Sequence, residues 1–371
     1  MNGKSLTKVL RCSSCTIKIA GKGVSIQQRT LSSSPVRQKH GAIPTFTEVS
    51  SPELQDLFTQ LRERVFLPAH ITQQQRDLIF KGKNKKALEV EPVTAVVAGE
   101  EFTLKPLDPL ADVPSRYKSL NKALYLMQDK RDWNNLPNLL QGLKTVKFKL
   151  REDERLGLLR KIAKAGRQDV LLECLRRADE TGFTLKSPSF VVQVFFWMQQ
   201  KAYQSDWDAE ETKKALQWAE MVKDMMAEPK HQPAAGSDPL PDLHEVHGIL
   251  LELAAVRASS HQDGKDADGK VEKYASDLLA SPRHFEVRHK SNRGAPNYWL
   301  STNIPTLHGL RIAQEVLGAT SELSIGLKTL GEELEPLLSQ AKDRISETPN
   351  RNGALPTSVL LYEKLLSSES S

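Results

Sequence analysis

Apolar residues recur at helical spacing along most of this chain, and the pattern predicts a mostly α-helical protein. The first helix is predicted to begin at Ser51 and Pro52, because serine is a favoured N-cap and proline suits the first helical turn. A second, shorter helix, capped by Thr72, is predicted to extend through Phe80. Alternating apolar positions around a glycine predict a small β-hairpin within residues 91–107. The predicted fold class is therefore an α-helical hairpin or solenoid-like body with a small N-terminal β-hairpin.

Residues 132–203 predict four helices in succession, joined by short connections. The fourth of them is apolar on almost every face, which predicts a helix packed between neighbours. Two short exits, at residues 148–150 and 183–185, lie 35 residues apart, the size of one helical-hairpin repeat. In the second helix, the spacing places four apolar residues on the inner face, namely Leu156, Leu159, Ile162 and Ala163.

Shifts in composition divide the chain into four predicted parts. Residues 1–40 form a leader, and residues 48–115 hold the first helices and the hairpin. Residues 116–228 form a helical-hairpin domain with a basic face, and residues 229–371 form a C-terminal helical region with loops.

The leader is rich in basic and hydroxylated residues and contains no acidic residue, as is typical of mitochondrial transit peptides. Cleavage is predicted after Leu31 or several residues later. A secretory signal is not expected, because no continuous apolar stretch follows the first charges. The alternative is a basic tail without a targeting role. The transit-peptide interpretation predicts a protein of the mitochondrial matrix.

Most of the positive charge of the chain belongs to this leader. The formal net charge is +6, but residues 1–47 hold eight Lys or Arg and no Asp or Glu, and the remainder holds 44 basic and 46 acidic residues. Within the remainder, residues 116–203 have 18 basic and 9 acidic residues, whereas residues 204–280 have 8 and 16. The basic region predicts a face that binds RNA phosphates, and the acidic region predicts a face toward proteins.

The candidate RNA-binding residues are basic side chains on predicted outer helix faces and in one later loop. On the helices they are Arg155, Arg160, Lys161, Lys164, Arg167, Arg176 and Arg177. In the loop of residues 283–299 they are Arg283, Arg288, Lys290 and Arg293. Tyr298 and Trp299 follow them, and basic and exposed aromatic side chains together suit an RNA backbone that passes along a loop. The alternative is that these two aromatic residues pack back on the protein.

No motif for catalysis or cofactor binding is present in the sequence. It contains no P-loop, no dinucleotide-binding fingerprint and no nucleophile elbow, so we expect no enzymatic activity, cofactor or small-molecule substrate. Cys12 and Cys15 lack a second ligand pair, and His244 and His247 lack a third ligand, so no metal site is expected. The longest apolar run, residues 190–198, is too short for a membrane span.

Four stretches of the sequence resemble fungal mitochondrial ribosomal proteins of the large subunit. They are LRERVFLPAHITQQQRDLIFKGK (61–83), DWNNLPNLLQGLK (132–144), AGRQDVLLECLRRADETGFTL (165–185) and DGKDADGKVEKYA (263–275). The resemblance implies a non-catalytic scaffold that contacts mitochondrial ribosomal RNA and neighbouring ribosomal proteins. The 35-residue spacing of the two exits also gives the chain a weaker resemblance to the pentatricopeptide class of helical-hairpin repeats.

Three functions follow from these observations. The first is a structural component of the mitochondrial ribosome, with the large subunit favoured over the small one. The second is a free pentatricopeptide-like RNA-binding factor for mitochondrial transcripts. The third is an assembly factor for a respiratory complex, whose partners would be proteins only.

Overall fold

The structure is a computed structural model that describes residues 41–233, 236, 239–282, 285, 294–347 and 354–367. Most of these residues are helical, and among them one antiparallel pair of strands is present, as the sequence predicted. They form two compact units, a smaller one of residues 71–108 and a larger one that contains the other described residues. The four-part division proposed from composition stays a prediction.

The α-helices of the described residues are numbered here in chain order. They are α1 (Pro52–Leu61), α2 (Leu67–His70), α3 (Gln73–Phe80), α4 (Lys85–Val90), α5 (Arg116–Leu126), α6 (Leu136–Thr145), α7 (Glu152–Lys164), α8 (Gln168–Arg176), α9 (Ala178–Thr181), α10 (Pro188–Gln204), α11 (Ala209–Met226), α12 (His244–His261), α13 (Lys270–Ala280), α14 (Gly294–Leu317), α15 (Glu322–Ser346) and α16 (Thr357–Tyr362). Short 3-10 helices occur at Gly82–Asn84, Asp132–Asn135 and Pro229–His231, and π-helical turns at Arg62–Phe66 and Glu363–Ser367.

Two helix starts follow the capping chemistry predicted from the sequence. The Ser51 side chain accepts a hydrogen bond from the Leu54 N–H at the start of α1, at 3.2 Å. Thr72 and Gln75 form a capping box at the start of α3, in which each side chain bonds the backbone of the other residue. Both predicted starts are confirmed, because capping depends only on residues within one turn.

The smaller unit contains α3, α4 and the predicted β-hairpin. Strands β1 (Thr94–Val97) and β2 (Glu100–Thr103) pair in an antiparallel ladder. The two residues between them, Ala98 and Gly99, have φ angles of 51° and 87°. Positive φ at both positions matches the twist that a two-residue hairpin turn requires.

The larger unit begins with an extended segment, residues 41–50, held by two side chains just before α6. Asp132 is fully buried and accepts hydrogen bonds from the N–H and the hydroxyl of Ser50, at 2.8 and 2.6 Å. Asn135 accepts from the N–H of Thr47 at 2.7 Å. These polar residues thus supply partners to backbone groups that belong to no regular element.

Helix α10 is buried among its neighbours, as predicted. It contacts α7, α11, α12 and α14, and Phe195 has no exposed surface while Phe196 is 9% exposed. An apolar helix surrounded in this way needs no polar face, which explains why its sequence shows so little amphipathic pattern.

The inner face of α7 differs by one position from the prediction. Leu159, Ile162 and Ala163 are buried, but Leu158 takes the place predicted for Leu156, which is half-exposed. The reason is that α7 contacts both α8 and α10, so its buried stripe is displaced from the one expected for a single neighbour.

The two exits that share the 35-residue phase are not equivalent in the structure. Phe183 and Leu185 are fully buried, whereas Phe148 and Leu150 are half-exposed. The ring of Phe183 packs edge-on against Phe190 in α10, with 5.7 Å between the ring centroids.

Helices α12 and α14 approach each other closely. A Cβ atom at Gly309 would lie 2.8 Å from the backbone of Glu252, so this distance is possible only because residue 309 is glycine. The fully buried carboxylate of Glu252 is 2.7 Å from Nδ1 of His308. Burial raises the pKa of Glu252, although the hydrogen bond and charge of His308 act in the opposite direction.

Candidate RNA-binding surface

Helix α7 holds the basic side chains that the sequence analysis singled out most strongly. Acidic residues fill its first turn and lysines its last, an arrangement that favours the helix through its dipole. Because its apolar residues are buried against α8 and α10, Arg160, Lys161 and Lys164 are left exposed to solvent. These three residues are called the α7 edge below.

The positive charges of the α7 edge are not neutralised by other described residues. The side chains of Arg160 and Lys164 form no hydrogen bond or ion pair within the part of the chain that the structure describes. The ammonium of Lys161 donates to the side-chain oxygen of Asn121 at 3.3 Å, and an amide is uncharged. The α7 edge therefore presents three cations to an external anion.

Arg167 is not part of this edge, which corrects its predicted outer position. Helix α7 ends at Lys164, and Gly166 has a left-handed backbone with φ of 69°, so Arg167 leaves the helical period. Its side chain turns inward and is 7% exposed. Its guanidinium bonds the carboxylate of Asp169 at 2.8 Å and the side-chain oxygen of Asn134 at 2.5 Å.

The contact with Arg167 also changes the pKa of Asp169. Burial alone would raise the pKa of Asp169, but the hydrogen bond and charge of Arg167 outweigh it and lower the pKa below its ordinary value. Arg167 and Asp169 thus form an ion pair within the chain, between a buried guanidinium and a half-exposed carboxylate, at the turn between α7 and α8.

Arg155 also packs toward the interior. Its guanidinium carbon lies 5.5 Å from the ring centroid of Phe190, a cation–π contact between α7 and α10. The residue is half-buried. Arg155 therefore covers an aromatic ring in the fold and is not part of the candidate RNA-binding surface.

Arg176 and Arg177 are exposed to different degrees, but both have acidic partners. Arg176 pairs with Glu173 at 2.7 Å, and Arg177 pairs with Glu180 at 2.7 Å. Arg177 also donates to Gln141, so it joins the α8–α9 turn to α6. Each acidic residue lies three positions from its arginine in the sequence. On a helix this spacing predicts an ion pair, so both pairs could be found from the sequence alone.

The four loop candidates are Arg283, Arg288, Lys290 and Arg293, and all of them lie outside the described residues. Cys12 and Cys15 lie outside them as well.

The aromatic residues that follow this loop are part of a helix and not of the loop. Helix α14 already begins at Gly294, and Trp299 is 8% exposed. The hydroxyl of Tyr298 donates to the Ser189 carbonyl of α10 at 3.3 Å. The alternative in which both aromatic residues pack back on the protein is therefore correct for them.

The structure adds one basic residue that sequence reasoning missed. Lys130 is exposed, and it lines a cavity of about 480 Å³ together with Lys161 and Lys164. It follows α5 in a short connection, where no helical period could assign it to the same surface. Within the described residues it has no ion-pair partner.

The two histidines considered as metal ligands bond protein groups. Nε2 of His244 lies 2.9 Å from Asn303, and Nε2 of His247 lies 2.6 Å from Asp242. Among the described residues, no three His, Cys, Asp or Glu side chains are grouped as a metal site. Nor does the described part of the chain contain a helix with the length and apolar character of a membrane span.

Comparison with known families identifies the chain. A family model described as mitochondrial ribosomal protein mS27 matches residues 29–364, which is most of the sequence. The chain belongs to the mS27 family of mitochondrial ribosomal proteins. A similar protein is the small ribosomal subunit protein mS27 of Neurospora crassa, which is 33% identical over 226 residues. That alignment covers 61% of this chain and 57% of the length of the relative.

Membership in the mS27 family confirms the predicted class of mitochondrial ribosomal protein. It also corrects the predicted subunit. The mS27 relative is named as a protein of the small ribosomal subunit, so the prediction of a large-subunit protein is wrong.

Proposed function

We propose that this protein is a structural component of the small subunit of the mitochondrial ribosome, located in the matrix. In this role the α7 edge and Lys130 bind phosphates of the ribosomal RNA, while other faces contact neighbouring ribosomal proteins. The observation that carries the proposal is the set of four exposed cations without an acidic partner among the described residues. Membership in the mS27 family supplies the ribosomal setting.

The chemistry of these four residues favours phosphates over base edges. Base recognition needs side chains whose donors are held in fixed directions, as in a bidentate arginine contact. Arg167 and Arg177 are held in this way, but by protein groups. The exposed lysines of the surface are long, and only Lys161 has a partner among the described residues, the uncharged side chain of Asn121, so they act as point charges that follow an RNA backbone. The proposed contact is therefore independent of RNA sequence and sensitive to salt.

Sedimentation of a mitochondrial lysate tests the ribosomal assignment. In a gradient at low magnesium, which separates the subunits, the protein is expected to migrate with the small-subunit ribosomal RNA and to move to the top after RNase treatment. Migration with the large-subunit RNA would overturn the subunit assignment. A protein that stays at the top before RNase, or that follows a respiratory complex, would overturn the ribosomal role.

A further inference from the structure

The cavity beside the α7 edge has the dimensions of a small ligand site. Its volume of about 480 Å³ lies within the range of about 300–1,000 Å³ that is common for ligand pockets. It lies between the end of α5, the 3-10 helix before α6 and the end of α7. The lining residues are Leu124, Tyr125, Met127, Gln128, Lys130, Trp133, Lys161, Lys164 and Ala165.

Two aromatic side chains give the cavity a flat, apolar character. Tyr125 is 76% exposed, so its ring is accessible to a ligand. Trp133 is 5% exposed and forms part of the wall. Helix α5 contains a second exposed tyrosine, Tyr117, which is 46% exposed but does not line the cavity. It can therefore serve as a control for Tyr125. An exposed aromatic ring at the rim of a cavity is the arrangement on which planar groups stack.

The charge of the cavity is positive. Three of the nine lining residues are lysines, and none is an aspartate or a glutamate. Two of the carbonyl groups at the end of α5 already have donors within the chain. The Leu126 carbonyl accepts from the N–H of Gln128, and the Tyr125 carbonyl accepts from the Gln128 side chain at 2.6 Å. A ligand that fits must therefore combine a planar apolar group with negative charge.

We infer that this cavity binds one unpaired nucleotide of a single-stranded RNA segment. Its base stacks on Tyr125 beside Trp133, and Lys130, Lys161 and Lys164 contact the flanking phosphates. Stacking accepts any base, so the site selects unpaired RNA over duplex RNA and not one sequence over another. The inference rests on the proposed function, because all three lysines belong to the proposed phosphate-binding surface, and it adds the kind of RNA structure that is bound.

Equilibrium binding by the full chain tests the inference. Labelled oligouridylate and a labelled RNA duplex are the probes, and fluorescence anisotropy at fixed salt is the measurement. Tyr125→Ala is expected to weaken oligouridylate binding about tenfold and to leave duplex binding unchanged, since one stacked base is lost. Tyr125→Phe keeps the ring and should bind as the wild type does. Tyr117→Ala is the matched control and should also bind as the wild type does.

The variant Lys161→Gln/Lys164→Gln separates failure of this inference from failure of the proposed function. If it weakens binding of both probes while Tyr125→Ala changes neither, the phosphate surface stands and the nucleotide site is overturned. If the chain binds neither probe, both proposals fall. Equal losses for Tyr125→Ala and Tyr117→Ala would also overturn the nucleotide site. A labelled acidic peptide is the last probe. If Tyr125→Ala abolishes binding of this peptide and leaves RNA binding unchanged, the cavity belongs to a protein partner instead.

Discussion

At the scale of single residues, Asp132 shows how one buried carboxylate can hold a segment without secondary structure. It accepts two hydrogen bonds from Ser50 and one from the N–H of Asp129 at 3.1 Å. Burial by itself would raise the pKa of Asp132, but these hydrogen bonds outweigh it and lower the pKa below the ordinary value of 3.8. The carboxylate is thus stabilised in its charged form in the folded protein.

We expect Asp132→Asn to lower the free energy of unfolding by about 1–3 kcal/mol at neutral pH, because the amide loses charged hydrogen bonds and turns an N–H₂ group toward donors. Urea unfolding followed by circular dichroism measures the change. Asp129→Asn is the control, since its side chain is 45% exposed and pairs only with Arg131 at the surface. It should change stability by less than about 0.5 kcal/mol.

The effect of Asp132→Asn should depend on pH in a defined direction. Because the folded pKa is depressed, the charged hydrogen bonds stabilise the protein fully above the unfolded value of 3.8, and this contribution is lost as the pH falls through the folded value. The difference between wild type and variant should therefore shrink below about pH 4. A difference that stays constant down to acid unfolding would contradict the account given for Asp132.

At the scale of helices, glycine sets the distance between α12 and α14. We expect Gly309→Ala to lower the free energy of unfolding by about 1–3 kcal/mol, because the new methyl group would meet the backbone of Glu252 and the helices would have to separate. Gly157 in α7 is the matched control, since a Cβ atom added there would have nothing within 4 Å. Gly157→Ala should raise stability by about 0.5–1 kcal/mol through helix propensity.

Thermal unfolding at neutral pH measures the change in stability for both glycine variants. A loss for Gly309→Ala and a gain for Gly157→Ala would support the close approach of α12 and α14. A stabilising or neutral Gly309→Ala would mean that α12 and α14 are not in close contact. Helix propensity alone would predict the same gain at both positions, so it cannot produce opposite signs.

At the scale of the whole molecule, the structure changes the meaning of the charge pattern. In the acidic region, many carboxylates already have basic partners, such as Glu211 with Lys201 and Asp277 with Lys223. Among the candidates predicted on the helices, Arg155 packs on an aromatic ring and Arg167, Arg176 and Arg177 pair with acidic residues, so the α7 edge is what remains of them. The candidate phosphate-binding surface is thus smaller than the sequence indicated.

We expect the variant Arg160→Gln/Lys161→Gln/Lys164→Gln to leave the small ribosomal subunit at lower KCl concentration than the wild type. Each lost phosphate contact should reduce the slope of log K against log salt by about 0.7–0.9, so the slope should fall by about 2–3. Salt washing of gradient-purified subunits, with the released protein quantified, measures the effect. Folding should change little, because the three side chains are exposed.

The control is a second triple variant that removes the same net charge at positions outside the α7 edge. Lys213, Lys265 and Lys328 are exposed and lie far from α7 in the chain. Their triple replacement by glutamine should leave the salt dependence of release unchanged. Equal shifts for the two triple variants would show that net charge alone matters and would contradict a local phosphate surface.

Several features of the fold and of the site followed from short stretches of sequence. The N-caps at Ser51 and Thr72 and the hairpin turn at Gly99 depend on a few adjacent residues, so local propensity was enough to place them. The exposure of Arg160 and Lys164 followed from the period of α7. The sequence did not single out Lys130 or Tyr125, because Lys130 lies in the connection after α5 and the period of α5 does not show that Tyr125 lines the same cavity as residues of α7.

The sequence by itself determined the helical class, the hairpin and the class of mitochondrial ribosomal protein, because periodicity, capping and family resemblance are all contained in the order of residues. Only the tertiary structure decided which basic residues are available to a partner. Arg160 and Arg167 have the same chemistry seven residues apart, yet one is exposed and the other is enclosed by Asp169 and Asn134. The difference arises from a single left-handed turn and from contacts with a distant part of the chain, and neither is expressed in a local pattern.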